Sequence, residues 1–364
     1  MGSRGSGGLA GRTSASPLAG YVAAAYALLV IYGSLHPFAG WREPAAPLFA
    51  FLEAPWPRYV TGFDLAANTL AYLPLGLLLV PAIHPRLRLG AAALVAVLAG
   101  AALSLCMETV QNFLSSRVPS NLDFACNTLG AMAGAFAGFK WGRGLVDGGR
   151  LHRLRVQRIV EGKAADFGLV LLGFWLLAQL NPEILLFGTG DLRGLLGLDT
   201  LPYSASRHML VEATVAACGT LAAGLLAATL LRRRSHWALA AVLLAALAIK
   251  TFAGALLAGD SPVAQWLTPG NALGLAGGFI ALAVAAYLPP LGQRVVAASA
   301  LLFATAMVNL APENPYLAAT LAVWQQGHFL NFNGLTRLVS SLWPFAALPY
   351  LMLPRGRQTQ GEAT

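Results

Sequence analysis

The chain has 364 residues, of which 57% are hydrophobic and only 11% are charged. Because a soluble surface needs roughly 25–35% charged residues, this composition excludes soluble globular, disordered and collagen-like proteins and predicts an all-α, polytopic membrane protein. The formal charge of +9 is then expected to set orientation and contacts with anionic lipid, and no nucleic-acid partner is predicted.

Apolar runs recur along the chain at the length of membrane spans. A bilayer core of about 30 Å requires about 20 apolar residues per helix. The segment 316–332 is shorter and more polar, so it is predicted to be an interfacial or re-entrant helix. The ten predicted transmembrane helices cover residues 18–37, 64–84, 89–114, 122–141, 165–187, 208–231, 236–257, 269–288, 295–311 and 335–353.

The basic residues predict the orientation. Most arginines and lysines of the predicted loops fall on the same side of the membrane as the N-terminus. They include those of the stretch 143–164 and of the run 232–234. Under the positive-inside rule this side is cytoplasmic. We therefore expect a multi-pass protein of the bacterial inner membrane with both termini in the cytoplasm, where residues 1–17 and 355–364 form flexible tails.

The chain resembles itself at an offset near 144 residues. The motif that begins with Asn127 and Gly130 recurs at Asn271 and Gly274. Such a repeat predicts two four-helix units in parallel orientation. The predicted organisation is a first unit over 18–142, a basic cytoplasmic linker over 143–164, a degenerate second unit over 165–288 and C-terminal helices over 289–354.

Polar side chains are concentrated in the first unit. An ionisable residue inside a span costs about 2.5–3.5 kcal/mol on insertion scales, so such residues usually face the bundle interior and indicate function. Three helices of this unit each carry a polar stripe at i, i+3 and i+4 spacing, near the predicted outer leaflet. We expect one outward-facing pocket, lined by Asp64, Asn68, Glu108, Gln111, Arg117, Asp123 and Asn127 and bordered by His36.

These spacings resemble the VanZ-like family of bacterial membrane proteins. The resemblance covers about residues 20–140 and implies a cell-envelope protein associated with low-level resistance to teicoplanin and related lipoglycopeptides. It rests on Asp64-x3-Asn68, Pro74-x-Gly76, Glu108-x2-Gln111, Arg117 and Asp123-x3-Asn127-x2-Gly130-x3-Gly134.

Two functional hypotheses fit the predicted pocket, and a third hypothesis is structural. In an enzyme, Glu108 would act as general acid or base beside the carboxylates Asp64 and Asp123, on a lipid-linked envelope substrate. In a binding protein or transporter, the pocket would recognise a membrane lipid or a lipid-linked envelope precursor. The substrate contacts would then come from Asn68, Gln111, Arg117, Asn127 and His36. In the structural hypothesis, Arg117 only neutralises its acidic neighbours.

The sequence identifies no cofactor. A nucleotide-binding glycine loop in a suitable context and a zinc-type cluster of histidines and cysteines are both missing, so no metal site is assigned. The three carboxylates nevertheless offer the oxygen ligands that a hard divalent cation prefers. In the second unit, Glu212 and Lys250 are predicted to form a structural ion pair, and His208 to be solvated or to cap a helix. Weaker site candidates near the C-terminus are His328 and Arg337.

Overall fold

The computed structural model describes residues 18–44, 46–84, 86–146, 150–197, 202–257, 264–312 and 330–353. This part of the chain is helical and contains no β-strand. Its helices are α1 (Leu18–Leu35), α2 (Ala50–Glu53), α3 (Gly62–Ile83), α4 (Leu89–Gln111), α5 (Asn121–Val146), α6 (Arg150–Arg158), α7 (Lys163–Ala178), α8 (Arg193–Leu196), α9 (Ala205–Leu230), α10 (His236–Leu257), α11 (Pro269–Ala285), α12 (Pro290–Asn309) and α13 (Leu330–Met352).

The helices have the lengths and composition of a membrane protein. Among the described residues, six helices are long and apolar enough to cross a bilayer, namely α1, α3, α4, α9, α10 and α12. Each of the ten predicted segments overlaps a helix, but the count of ten spans and the orientation stay predictions. The all-α membrane class is confirmed.

The first helix of each predicted unit ends earlier than predicted. Helix α1 ends at Leu35 rather than at residue 37, and α7 ends at Ala178 rather than at residue 187. Each end is followed by an X-Pro step, at Pro37 and at Pro182, and the residue before a proline is biased away from helical backbone. The non-helical residues after α7 still enter the protein interior, where Phe187 is fully buried.

Close packing of α3 against α5 positions the polar residues of the first unit. A Cβ atom at Gly130 would collide with the carbonyl oxygen of Thr69, and one at Gly134 would collide with that of Leu73. Glycine therefore allows the two backbones to touch, as small residues do at helix interfaces in membranes. The approach brings the N-terminal turns of both helices together.

The same contacts recur between α9 and α11. A Cβ atom at Gly274 would collide with the carbonyl oxygen of Ala213, and one at Gly278 would lie 2.9 Å from that of Ala217. In each contact, the glycine and its partner lie 144 residues after the corresponding glycine and partner in α5 and α3, which is the predicted offset. The matched contacts support the predicted duplication, which stays a prediction.

The bundle has two chemically different ends. At the polar end, residues 36–44 and 46–61 meet residues 112–120, where the Arg42 N–H donates to the Phe113 carbonyl (2.8 Å). At the basic end (residues 150–162, 231–235 and 286–289), a single β-bridge pairs Ile159 with Leu231. Helix α5 runs from the polar end toward the basic end.

The predicted basic linker contains a helix. Its Arg150–Arg158 segment holds good helix formers and lacks glycine and proline, which favours helix over loop. Arg155 forms an ion pair with the buried carboxylate of Asp166 at the start of α7, so the linker is fixed to the bundle. The predicted tails, His328 and most of the predicted interfacial segment lie outside the described residues.

Candidate functional site

The Glu108 carboxylate caps the start of the neighbouring helix. Glu108 lies in the last turn of α4 with 3% of its surface exposed, and its Oε2 accepts a hydrogen bond from the Ser120 N–H at 2.8 Å. The Ser120 hydroxyl oxygen in turn accepts from the N–H of Asp123 (3.3 Å) in the first turn of α5. A carboxylate at the positive end of a helix dipole is stabilised there, so Glu108 is held in a fixed position.

Arg117 ties the turn between α4 and α5 to the end of α1. Its Nη2 atom donates to the carbonyl oxygen of His36 at 2.9 Å and more weakly to that of Gly33 at 3.5 Å. Burial lowers the pKa of Arg117, while the negative charges of Glu108 and Asp123 act in the opposite direction. The guanidinium stays charged and offsets part of the negative charge of the site.

A second pair of carboxylates lies where α3 and α5 begin. The Asp123 carboxylate lies beside the Asn68 side chain and within electrostatic range of Asp64 and Arg117. Asp64 forms a capping box: its Oδ2 accepts from the Thr61 backbone N–H at 3.3 Å, and its own N–H donates to the Thr61 hydroxyl oxygen at 3.1 Å. The structure thus gives Asp64 a helix-capping contact that the Thr61-x2-Asp64 spacing signals in the sequence.

Two of the three side-chain amides of the predicted site, those of Asn127 and Gln111, are also anchored. Asn127 Nδ2 donates to the Ser104 hydroxyl (2.9 Å), and Gln111 Nε2 donates to the Ser34 carbonyl (2.9 Å). Asn127 is only 5% exposed, and its buried Oδ1 atom has no hydrogen-bond partner within the described part of the chain. Because a buried acceptor without a partner is costly, this atom points to a bound polar group.

These side chains form the floor of a cavity of about 670 Å³. Six of the predicted residues line it: Asn68, Glu108, Gln111, Arg117, Asp123 and Asn127. The apolar wall comes from α1, the start of α3, α7 and α13, through Tyr26, Leu29, Val30, Phe63, Leu177 and Leu335. An apolar wall with a few convergent polar groups is the usual composition of a ligand site.

The two remaining predicted residues lie beside this cavity. Asp64 lines an adjacent space of about 480 Å³ that shares Asn68, Arg117 and Asp123 with the first. The His36 ring instead contacts the Tyr32 hydroxyl (3.1 Å) and packs against Gly334. The backbone carbonyl of His36, and not its ring, contacts the site, because it accepts the hydrogen bond from Arg117.

Leu177 and Leu335 are the site residues that sequence reasoning missed most clearly. They come from helices far along the chain, and nothing in their local sequence signals a contact with the first unit. As for metals, within the described residues no group of three or more His, Cys, Asp or Glu side chains is placed to hold an ion.

The predicted ion pair of the second unit is wrong. Glu212 pairs with His208 (3.4 Å) and accepts from the Thr268 hydroxyl (2.8 Å). Lys250 donates instead to the carbonyl oxygen of Asn181 at 2.6 Å. Equal depth in the bundle does not fix the rotation of a helix, and the turn after α7 offers carbonyl acceptors. His208, predicted to be solvated or capping, is buried.

Comparison with known proteins gives one finding. The family model described as VanZ/LLP1 matches residues 16–141, a range that covers α1 to α4, most of α5 and all eight predicted site residues. The comparison with curated proteins and that with solved structures returned no match. Residues 16–141 of this chain are therefore similar to the VanZ/LLP1 family, and we call this segment the VanZ-like unit.

Proposed function

We propose that the VanZ-like unit binds the polar group of a lipophilic or lipid-linked envelope molecule in the 670 Å³ cavity. This proposal rests on the Oδ1 atom of Asn127, which has no hydrogen-bond partner within the described residues. The atom belongs to the polar part of the cavity lining, next to the apolar part. The wall formed by Leu29, Phe63 and Leu177 suits a hydrocarbon chain, and the floor suits a hydrogen-bonding headgroup. Resistance to lipoglycopeptides is the context that the family resemblance adds.

The charge of the floor favours a neutral or cationic group over a phosphate. Among the described lining residues, Glu108 and Asp123 in the floor, with Asp64 in the adjacent space, outnumber the positive charge of Arg117. Arg117 already donates to the carbonyl at the end of α1, so part of its hydrogen-bonding capacity is used by the protein. A sugar hydroxyl or an ammonium group meets these acceptors without like-charge repulsion, whereas an anion would be repelled.

Native mass spectrometry of the purified protein tests this proposal. We expect a co-purified lipophilic molecule on the wild type, and its loss or depletion in Glu108→Gln and Arg117→Ala. Glu53→Gln is the matched control, because Glu53 lies exposed on α2, and it should retain the molecule. Identical bound species in all four proteins would contradict the proposal.

A second candidate, modification of the bound molecule, is favoured by the position of Glu108. Its carboxylate is buried beside the like charge of Asp123, and one of its oxygens is held by the Ser120 N–H. A carboxyl group in this situation can serve as general acid or base. In that case Glu108→Gln retains the molecule, but with a single mass where the wild type yields both substrate and product.

A further inference from the structure

A second and larger cavity lies at the basic end of the bundle. It encloses about 820 Å³ between the end of α9, the start of α10, the end of α11 and the start of α12. The described residues that line it include the basic residues Arg232, Arg234, Arg294 and His236. No Asp or Glu is found among the described lining residues. The VanZ-like unit contributes nothing to this lining, so the cavity is independent of the site proposed above.

Aromatic and backbone contacts orient the basic groups. Arg234 lies with its guanidinium carbon 5.5 Å from the centre of the Tyr287 ring and donates to the Tyr287 carbonyl (3.3 Å). The His236 ring stacks obliquely on the same tyrosine at 5.6 Å. Arg294 Nε donates to the Leu351 carbonyl (2.8 Å), which fixes α12 to the end of α13.

Arg232 already has an acidic partner. It pairs with Glu161 at 2.7 Å, and both side chains are substantially exposed. An exposed pair of this kind contributes little energy, and its charges largely offset each other. Within the described part of the chain, Arg234 contacts Tyr287 and forms no ion pair with a carboxylate, so its positive charge acts on the cavity.

Helix dipoles add to this positive potential. Helices α10 and α12, of 22 and 20 residues, both begin at the cavity with their N-terminal turns. The N-terminus of a helix carries about half a positive charge and is a favourable position for phosphate. Two such ends and the arginines act on the same volume.

The cavity also has apolar walls, and aromatic side chains lie near it. Leu239 and Leu288 line it together with Leu291, which is exposed at the outer edge. Trp237 and Tyr287 are largely exposed at the same level, and exposed Trp and Tyr gather at the membrane–water interface. The basic groups thus lie at headgroup level, with apolar surface beside them.

We propose that this cavity binds the phosphate of an anionic membrane lipid, with Arg234 meeting the phosphate, Arg294 adding positive charge and an acyl chain lying along the leucines. Basic pockets between membrane helices recognise anionic headgroups through charge-assisted hydrogen bonds. The apolar wall favours a lipid over free phosphate, because free phosphate would leave that wall uncovered.

The test is a native mass-spectrometric titration of the detergent-purified full chain with dioleoylphosphatidylglycerol, and with dioleoylphosphatidylcholine in parallel. We expect tighter binding of the anionic lipid, and about fivefold weaker binding of that lipid in Arg234→Gln, the contribution of one arginine near a membrane surface. Arg233→Gln is the matched control, because Arg233 is exposed next to Arg234 and does not line the cavity. It should bind as the wild type does.

Three outcomes would overturn the proposal. An equal loss of lipid binding in Arg234→Gln and Arg233→Gln would indicate diffuse attraction to the surface. Equal binding of the anionic and the zwitterionic lipid would show that charge plays no role. Displacement of the anionic lipid by millimolar inorganic phosphate would assign the cavity to free phosphate. The melting temperature of Arg234→Gln, and binding to Arg234→Lys, which keeps the charge, separate a lost site from a misfolded protein.

Discussion

Glu108 shows how a buried carboxylate is accommodated in the last turn of a helix. The negative end of the α4 dipole disfavours a carboxylate there, and burial removes its hydration. The structure compensates for both effects with the Ser120 N–H at the start of α5, at 2.8 Å. The Glu108 carboxylate therefore also satisfies one of the backbone N–H donors that the start of α5 leaves without a partner inside the helix.

This arrangement predicts different effects for two substitutions of Glu108. Glu108→Gln keeps an oxygen that accepts from Ser120 and removes the buried charge, so the melting temperature should stay near or above that of the wild type. Glu108→Ala leaves the Ser120 N–H without its acceptor, and an unsatisfied buried donor costs about 1–3 kcal/mol. Thermal unfolding in detergent measures both, and equal destabilisation would show that the hydrogen bond contributes nothing to stability.

At the scale of the helix, glycines set the distance between packed pairs. In α11, two neighbouring glycines meet different surroundings: a Cβ atom at Gly278 would lie 2.8 Å from Thr220 Cβ, whereas one at Gly277 would meet no atom within 4 Å. One position therefore faces the partner helix α9, and the other faces away from it. The same substitution at these two positions therefore tests the effect of close helix packing, because both residues are glycines in the same helix.

Gly278→Ala should destabilise the protein, because the added methyl group forces α9 and α11 apart, at a cost of about 1–3 kcal/mol. Gly277→Ala should be neutral or stabilising by up to about 1 kcal/mol, because alanine favours helix over glycine. Thermal unfolding of the two variants side by side measures the difference. Equal melting temperatures would contradict the close packing of this helix pair.

The polar stripes and the glycine motif were predictable from the sequence because helical spacing alone places their members on one face. The acceptor of Lys250 was not predictable, since the Asn181 carbonyl becomes available only where α7 stops before Pro182. Leu177 and Leu335 were unpredictable for another reason: contacts between distant helices depend on the assembled bundle. Sequence therefore predicts the floor of the candidate cavity better than its wall.

At the scale of the whole molecule, the two cavities lie at opposite ends of the bundle and differ in the charged residues that line them, which are mainly carboxylates in one and arginines in the other. The acidic cavity lies where α5 begins, and the basic cavity lies beside the β-bridge between Ile159 and Leu231. Under the positive-inside rule, the basic end is predicted to face the cytoplasm, on the side where the leaflet carries anionic lipid. The acidic cavity would then open toward the cell envelope.

Cysteine labelling of intact cells tests this orientation. After replacement of the three native cysteines, Ser116→Cys introduces an exposed thiol at the rim of the acidic cavity, and Arg233→Cys introduces one at the basic end. A membrane-impermeant maleimide should label the first in cells whose inner membrane is intact, and the second only after that membrane is permeabilised. The reverse pattern would place the acidic cavity in the cytoplasm. A lipid-linked envelope molecule would then have to reach the cavity from the inner leaflet, which would restrict its ligands to precursors assembled on the cytoplasmic side.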